Sequence, residues 1–160
     1  MRQQKGKGNQ TPLPSGGEGG GFRLSPNFTL EELTRSASHP EIRNVPDMAQ
    51  LRNLTLLCMR ILQPLRDAIG RPVRITSGFR CPKLNKAVGG ATTSRHLSGQ
   101  AADIAVSTDA EGKALFDLLR QNKWVDLCLY ERSRRSPRSR WIHVQWRERP
   151  RGRFVEEYWA

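Results

Sequence analysis

Thr93-Ser94-Arg95-His96-Leu97-Ser98-Gly99-Gln100-Ala101-Ala102-Asp103 is the stretch on which the reading of this chain turns. It sets a histidine and an aspartate seven positions apart with Ser98-Gly99 between them. On one straight strand, positions seven apart face opposite ways. A turn at Ser98-Gly99 removes that obstacle and lets a strand start at Ala101 and run to Val106. The small Ala101 and Ala102 then permit close packing beneath whatever His96 and Asp103 hold.

Upstream, Pro72-Val73-Arg74-Ile75-Thr76-Ser77 alternates and ends at Gly78, which reads as a strand. Cys81 to Val88 reads as a short helix, with Pro82 near its start and Gly89-Gly90 as its stop. Further back, Leu51, Leu54, Cys58, Ile61 and Leu65 recur at spacings of three and four, one apolar face of a longer helix. Pro46 fits the first turn of that helix, Pro64 kinks or divides it, and Gly70 suits its C-terminal cap. Thr29-Leu30-Glu31-Glu32 is a capping-box pattern opening a short helix from Leu30 to Ser36. Downstream, Leu115, Leu118 and Leu119 give Ala110 to Gln121 a helical face. Val125 to Glu131 is a third strand, Arg132 to Arg140 a polar loop, and Trp141 to Trp146 a fourth strand. The last ten residues add a short strand or helix through Phe154, Tyr158 and Trp159. The expected fold class is α+β: a small, mainly antiparallel sheet with flanking helices.

The 160 residues suffice for one domain and a tail. Residues 1–21 hold half of the 14 glycines and almost no large apolar side chains. Such a composition cannot offset chain entropy by burial, so residues 1–21 read as a flexible tail and 22–160 as the domain. No apolar run approaches the length of a membrane-crossing helix. The basic N-terminus has no apolar stretch after it, so no secretory signal is read and synthesis in the cytoplasm is expected. The three cysteines, Cys58, Cys81 and Cys128, suit reduced thiols better than a disulfide frame. Cys58 and Cys128 fall at core positions, and no base is assigned to Cys81. A monomer is expected.

The formal net charge is +12, and it is local. Between Arg132 and Arg153 there are nine arginines and one acid, Glu148. Such a patch either holds an anionic partner, such as nucleic acid, a wall polymer or a lipid surface, or is a solvated loop with no partner.

Only three histidines are present. His39 precedes a proline in a polar loop and reads as structural. His143 lies inside an apolar strand, between Ile142 and Val144. Catalytic zinc sites take three protein ligands and leave a fourth position for water. His96, Asp103 and His143 can supply such a set. Equally, His96 can be a surface residue, Asp103 a turn or cap, and His143 a hydrogen-bonded core residue.

The order of these residues adds weight. Ile75-Thr76-Ser77-Gly78-Phe79-Arg80 is followed by Leu84-Asn85, by Val88-Gly89-Gly90 and by Ser94-x-His96-x-x-Gly99-x-Ala101-x-Asp103, and then by Trp141-x-His143-Val144. This series strongly resembles the zinc D-alanyl-D-alanine carboxypeptidase family, which cuts peptidoglycan stem peptides and includes bacterial wall peptidases and bacteriophage lysis endopeptidases. Asn27-Phe28-Thr29-Leu30-Glu31-Glu32-Leu33 and Leu62-Gln63-Pro64-Leu65-Arg66 look like its compact, phage-rich branch. The resemblance runs from Phe22 to Trp146 and implies the D-Ala-D-Ala carboxypeptidase/hedgehog-like zinc peptidase fold. It also implies that His96, Asp103 and His143 bind Zn2+. By the same resemblance Arg80 lies in the site, where its fork of donors suits a substrate carboxylate or an oxyanion. Ser94 either bonds substrate or orders the loop before His96.

Many members of the family carry an acid three residues before the final histidine. Here that position is Arg140, which cannot accept a proton at neutral pH. In the compact branch an acid ends the preceding strand, which makes Glu131 the candidate general base and Asp126 a weaker one. The alternative for Glu131 is an exposed pairing with the neighbouring arginines.

The function the resemblance implies is zinc-dependent hydrolysis of peptide bonds in peptidoglycan stem peptides, as carboxypeptidase or endopeptidase. The setting would be cell-wall lysis or remodelling, reached by release or delivery, with the Arg-rich loop 132–140 on an anionic polymer and no obligatory nucleic acid. The other class is a non-catalytic binding module whose Arg-rich region holds nucleic acid or an anionic wall polymer.

Overall fold

The computed structural model describes residues 21–160, so the tail expected over residues 1–21 lies, apart from Gly21, outside the described residues. A two-stranded antiparallel ribbon, β1 (Arg23–Ser25) and β2 (Phe28–Thr29), comes first and leads directly into α1 (Leu30–Thr34). Thr29 caps α1 by accepting from the Glu32 backbone N–H at 3.3 Å. The helix stops two residues short of Ser36, with Arg35 already extended.

The long apolar helix face becomes three consecutive pieces. They are α2 (Met48–Leu57), a π-helical turn (Cys58–Leu62) and α3 (Gln63–Ile69). Asp47 is the N-cap of α2 and forms a reciprocal capping box with Gln50, so Pro46 precedes the helix and does not occupy its first turn. Pro64 divides the helix as expected. Having no N–H to donate, it follows a turn wound wide enough for the Gln63 N–H to reach back to the Cys58 carbonyl. Gly70 ends α3 in the left-handed conformation, at φ 70°.

A five-stranded sheet follows in the order β3-β4-β6-β5-β7. Its strands are β3 (Ile75–Ser77), β4 (Ala101–Ala105), β5 (Val125–Arg132), β6 (Arg140–Trp146) and β7 (Arg153–Trp159). Three of its pairings are antiparallel, and β7 joins β5 in parallel. The short helix α4 (Pro82–Ala87) follows β3, and α5 (Asp109–Arg120), capped by Thr108, lies between β4 and β5. The architecture is α+β with a mainly antiparallel sheet.

Side chains alternate across this sheet. Ile142, Val144 and Trp146 of β6, with Ala102 and Ile104 of β4, face the helices and are buried in one apolar core. Cys58 and Cys128 belong to that core, and burial pushes both thiols up, out of the reactive range. The intervening residues of β4, β5 and β6 face the other way. That second face is the floor of a cleft.

Candidate active site

The pairing register arranges the cleft floor in rows. In one row Trp141 of β6 stands opposite Glu131 of β5, which pairs with Tyr158 of β7. In the next row Asp103 of β4, His143 of β6 and Leu129 of β5 lie side by side. A third row holds Gln145, Leu127 and Arg153. All of these line a cleft of about 800 Å³, together with Arg80, Ser94, Arg95, His96 and Arg147.

His96 does not lie on a strand. It sits in a 3-10 turn (Arg95–Ser98) that ends at Gly99, whose φ of 71° supplies the reversal read from the sequence. The turn is docked onto α2 by two side-chain amides. Gln50 donates to the Leu97 carbonyl at 3.1 Å, and Asn53 donates to the Ser98 carbonyl at 2.8 Å. A Cβ on Gly99 would stand 2.6 Å from the Gln50 carbonyl oxygen, so only glycine lets the turn lie this close to the helix. Ser94 caps the turn by accepting from the His96 N–H at 3.3 Å. That bond matches the loop-ordering role for Ser94, and its place on the cleft wall keeps it within reach of a ligand.

His96, Asp103 and His143 each present a donor atom within 4.8 Å of the others. His96 Nε2 lies 3.3 Å from Asp103 Oδ2, and His143 Nδ1 lies 2.8 Å from Asp103 Oδ1. The far nitrogen of each ring has its own partner. His96 Nδ1 donates to the Gly78 carbonyl at 2.6 Å, and His143 Nε2 is 2.7 Å from the Gln145 side-chain nitrogen. Two imidazoles and one carboxylate converging from a buried floor, each imidazole steered by a partner on its far side, fit a divalent metal with an open coordination position. Burial, with the Arg80 and His143 charges, holds His96 below its ordinary range and favours the neutral ring a metal needs. Burial pushes Asp103 up, but the two histidines outweigh it, and the carboxyl lies well below its usual range.

Arg80 follows Gly78-Phe79 at the end of β3. Its Nη2 donates to Asp103 Oδ2 at 2.7 Å and its Nε to Ser77 Oγ at 2.7 Å. These bonds use two of the five guanidinium N–H groups, leaving three for a ligand. The Asn44 side chain fixes the segment from outside, donating to the Thr34 and Phe79 carbonyls and accepting from the Cys81 N–H.

Glu131 is 9% exposed in the cleft wall and is not an open surface acid. Burial first, and then the nearby Asp103 charge, push its carboxyl above the ordinary range, against the opposing pull of His143 and Arg80. Arg140 lies on the reverse of the sheet. Three residues before His143 is an odd offset, and Arg140 Nη1 pairs with Asp109 Oδ1 at 2.8 Å at the start of α5. Asp126 is fully buried in ion pairs with Arg147 and Arg151 and does not line the cleft. His39 pairs with Glu41 at 3.3 Å and is not among the residues lining the cleft.

A family model described as Peptidase M15 matches residues 26–145. The chain belongs to the peptidase M15 family. The match reaches from the residue before Asn27 to the third row of the cleft floor and includes every residue of the His96/Asp103/His143 cluster. Among curated proteins, the zinc D-Ala-D-Ala carboxypeptidase of Streptomyces albus G is 40% identical over 83 residues, which is 51% of this chain and 32% of that protein. The chain therefore spans about a third of the length of the curated relative it matches. Within this M15 chain, sequence reasoning had missed Gln145, Asn44, Tyr158 and the arginines at the Gln145 end of the cleft. The one signal available for Gln145 was its position two residues after His143, on the same side of an alternating strand.

Proposed function

We propose that this chain is a zinc-dependent peptidase that hydrolyses peptide bonds in peptidoglycan stem peptides, in cell-wall lysis or remodelling. The observation that carries the reading is one cleft holding a two-histidine, one-carboxylate cluster with a half-free arginine and a buried glutamate beside it. His96, Asp103 and His143 hold the metal. When bound, Zn2+ supplies Lewis-acid polarisation of a carbonyl and acidifies a water. Glu131 accepts one proton from the attacking water, whose oxygen bonds to the scissile carbonyl carbon. Glu131 then returns that proton to the leaving amine nitrogen as the C–N bond breaks, so it ends the cycle ionised. The free N–H groups of Arg80 bind the substrate carboxylate or the developing oxyanion. Trp141 and Tyr158 wall the Glu131 end of the cleft. No helix among the described residues is long and apolar enough to cross a membrane, and the enzyme acts at the wall after release or delivery.

The test is digestion of purified peptidoglycan by the zinc-loaded protein, with mass spectrometry of the products. Defined fragments, absent with His96→Ala, are expected. Glu131→Gln should bind one zinc per chain and lose activity about 100- to 10,000-fold. Full activity in that variant would remove Glu131 as the base, and no fragments from the zinc-loaded wild type would remove the peptidase reading.

A further inference from the structure

The cleft is electrically lopsided along its length. At one end stand Glu131, Trp141 and Tyr158. At the other, beyond the His143 row, Arg153 pairs in register with Leu127, and Arg147 follows Gln145 by two residues. Arg95 reaches the same end from the 3-10 turn that carries His96. Among the described residues, the one carboxylate in ion-pair contact with these arginines is Asp126, behind the cleft lining, and it is already divided between Arg147 Nε at 3.4 Å and Arg151 Nε at 3.0 Å. Arg95 has the neutral Gln100 side chain as its partner, at 3.1 Å. Among the described residues, no carboxylate lies within ion-pair distance of Arg95 or Arg153. Arg95, Arg147 and Arg153 thus stand as three like charges lining one end of the same cleft.

We infer that Arg95, Arg147 and Arg153 form a carboxylate-binding subsite, so that the cleft selects peptides bearing a free acidic group on one side of the scissile bond. Guanidinium forks match carboxylates in shape and charge, and an incoming carboxylate relieves the repulsion among them. The register sets the spacing. Successive rows of one sheet face lie about 7 Å apart along a strand, which places the cluster about 7–14 Å from His143. An extended peptide advances about 3.3 Å per residue, so the acidic group lies about two to four residues from the bond cut. Arg80 is not part of this subsite, because it lies at the metal cluster and binds Asp103. The inference deepens the peptidase reading and rests on it for the ligand being a peptide.

The probes are two synthetic stem pentapeptides that differ only in the glutamyl α-carboxyl group, free in one and amidated in the other. For the zinc-loaded wild type we expect kcat/KM at least tenfold higher for the free acid, with the difference mostly in KM and shrinking as salt rises. In Arg95→Gln/Arg153→Gln the ratio should fall to within about twofold of unity, with the thermal transition and bound zinc retained. Equal cleavage of both peptides by the wild type overturns the subsite and leaves the peptidase reading intact. If neither peptide is cut, their affinities are measured directly by calorimetry. A tenfold preference for the acid then supports the subsite while the peptidase reading fails, and equal affinities overturn the subsite too. The wild-type ratio stands as a test even if the double variant does not fold.

Discussion

Gly78→Ala is the substitution that most directly couples the fold to the His96/Asp103/His143 cluster. Gly78 sits where β3 passes α1, and an added Cβ would overlap the Leu33 carbonyl oxygen and stand 2.8 Å from Leu33 Cδ1. Ordinary contacts begin at 3.4 Å, so something must shift. The oxygen cannot move freely, because it accepts the Phe79 N–H at 2.7 Å. Relieving the overlap costs about 1–3 kcal/mol, as overpacking of a tight core does. Losing the Phe79 bond in a buried setting adds about 1–3 kcal/mol. We expect the metal-free variant to lose about 2–6 kcal/mol in urea unfolding. The same shift carries the Gly78 carbonyl away from His96 Nδ1, the partner that orients the ring. Displacing such a partner weakens metal affinity about 10- to 100-fold. With free zinc above both dissociation constants, that appears as a further loss of about 1.4–2.8 kcal/mol in the zinc-loaded protein. Chelator competition gives the affinity ratio independently, and the two measurements must agree. A variant within about 0.5 kcal/mol of wild type when metal-free, with unchanged zinc affinity, would refute both steps of the reasoning. A stability loss of equal size in both forms would refute the His96 step alone.

Gln145 should matter to zinc through His143. A ring that offers Nδ1 to the metal carries its proton on Nε2, so the Gln145 amide must turn its oxygen to the ring. Gln145→Leu is expected to weaken zinc binding about 10- to 100-fold, and Gln145→Glu, which can only accept, to restore it; a Leu variant with wild-type affinity in chelator competition would remove Gln145 from the account. Asp126 should govern acid stability. Burial raises its carboxyl, but the Arg151 and Arg147 bonds and charges outweigh that, so its folded value lies below its unfolded value of about 4. Its contribution is therefore complete above the unfolded value and is lost as pH falls through the folded one. Asp126→Asn should cost about 2–3 kcal/mol near neutral pH, and urea unfolding should show that gap closing below about pH 4; a gap that is unchanged at pH 3 would contradict the assignment.

The parts of the site written in local pattern were legible. Alternation in Trp141 to Trp146 separates Ile142, Val144 and Trp146, which face the core, from Trp141, His143 and Gln145, which face the cleft. The glycine at position 99 marked the reversal between His96 and Asp103, and the structure gives it a positive φ. What depended on distant partners was not legible. The amides of Gln50 and Asn53 that seat the His96 turn lie more than forty residues upstream. The parallel pairing of β7 with β5 has no signature in Arg153 to Trp159, a segment rich in acids and aromatics. The nine arginines read as one patch because sequence carries no pairing information. In the fold Arg132 and Arg140 share Asp109, Arg147 and Arg151 share Asp126, and Arg153 turns to the cleft. Arg140 looked like a lost catalytic acid until the strand put it on the reverse face.

The family match ends at Gln145, and the cleft does not. Arg147, Arg153 and Tyr158 come from the residues that follow, two of them on a strand attached along one edge of the sheet. Such an edge can be exchanged or resculpted without disturbing the His96/Asp103/His143 cluster, because none of those three residues lies on it. Two M15 chains can thus share the His96/Asp103/His143 pattern and still differ in what their clefts admit, because the residues that set the far end of the cleft lie beyond the matched segment.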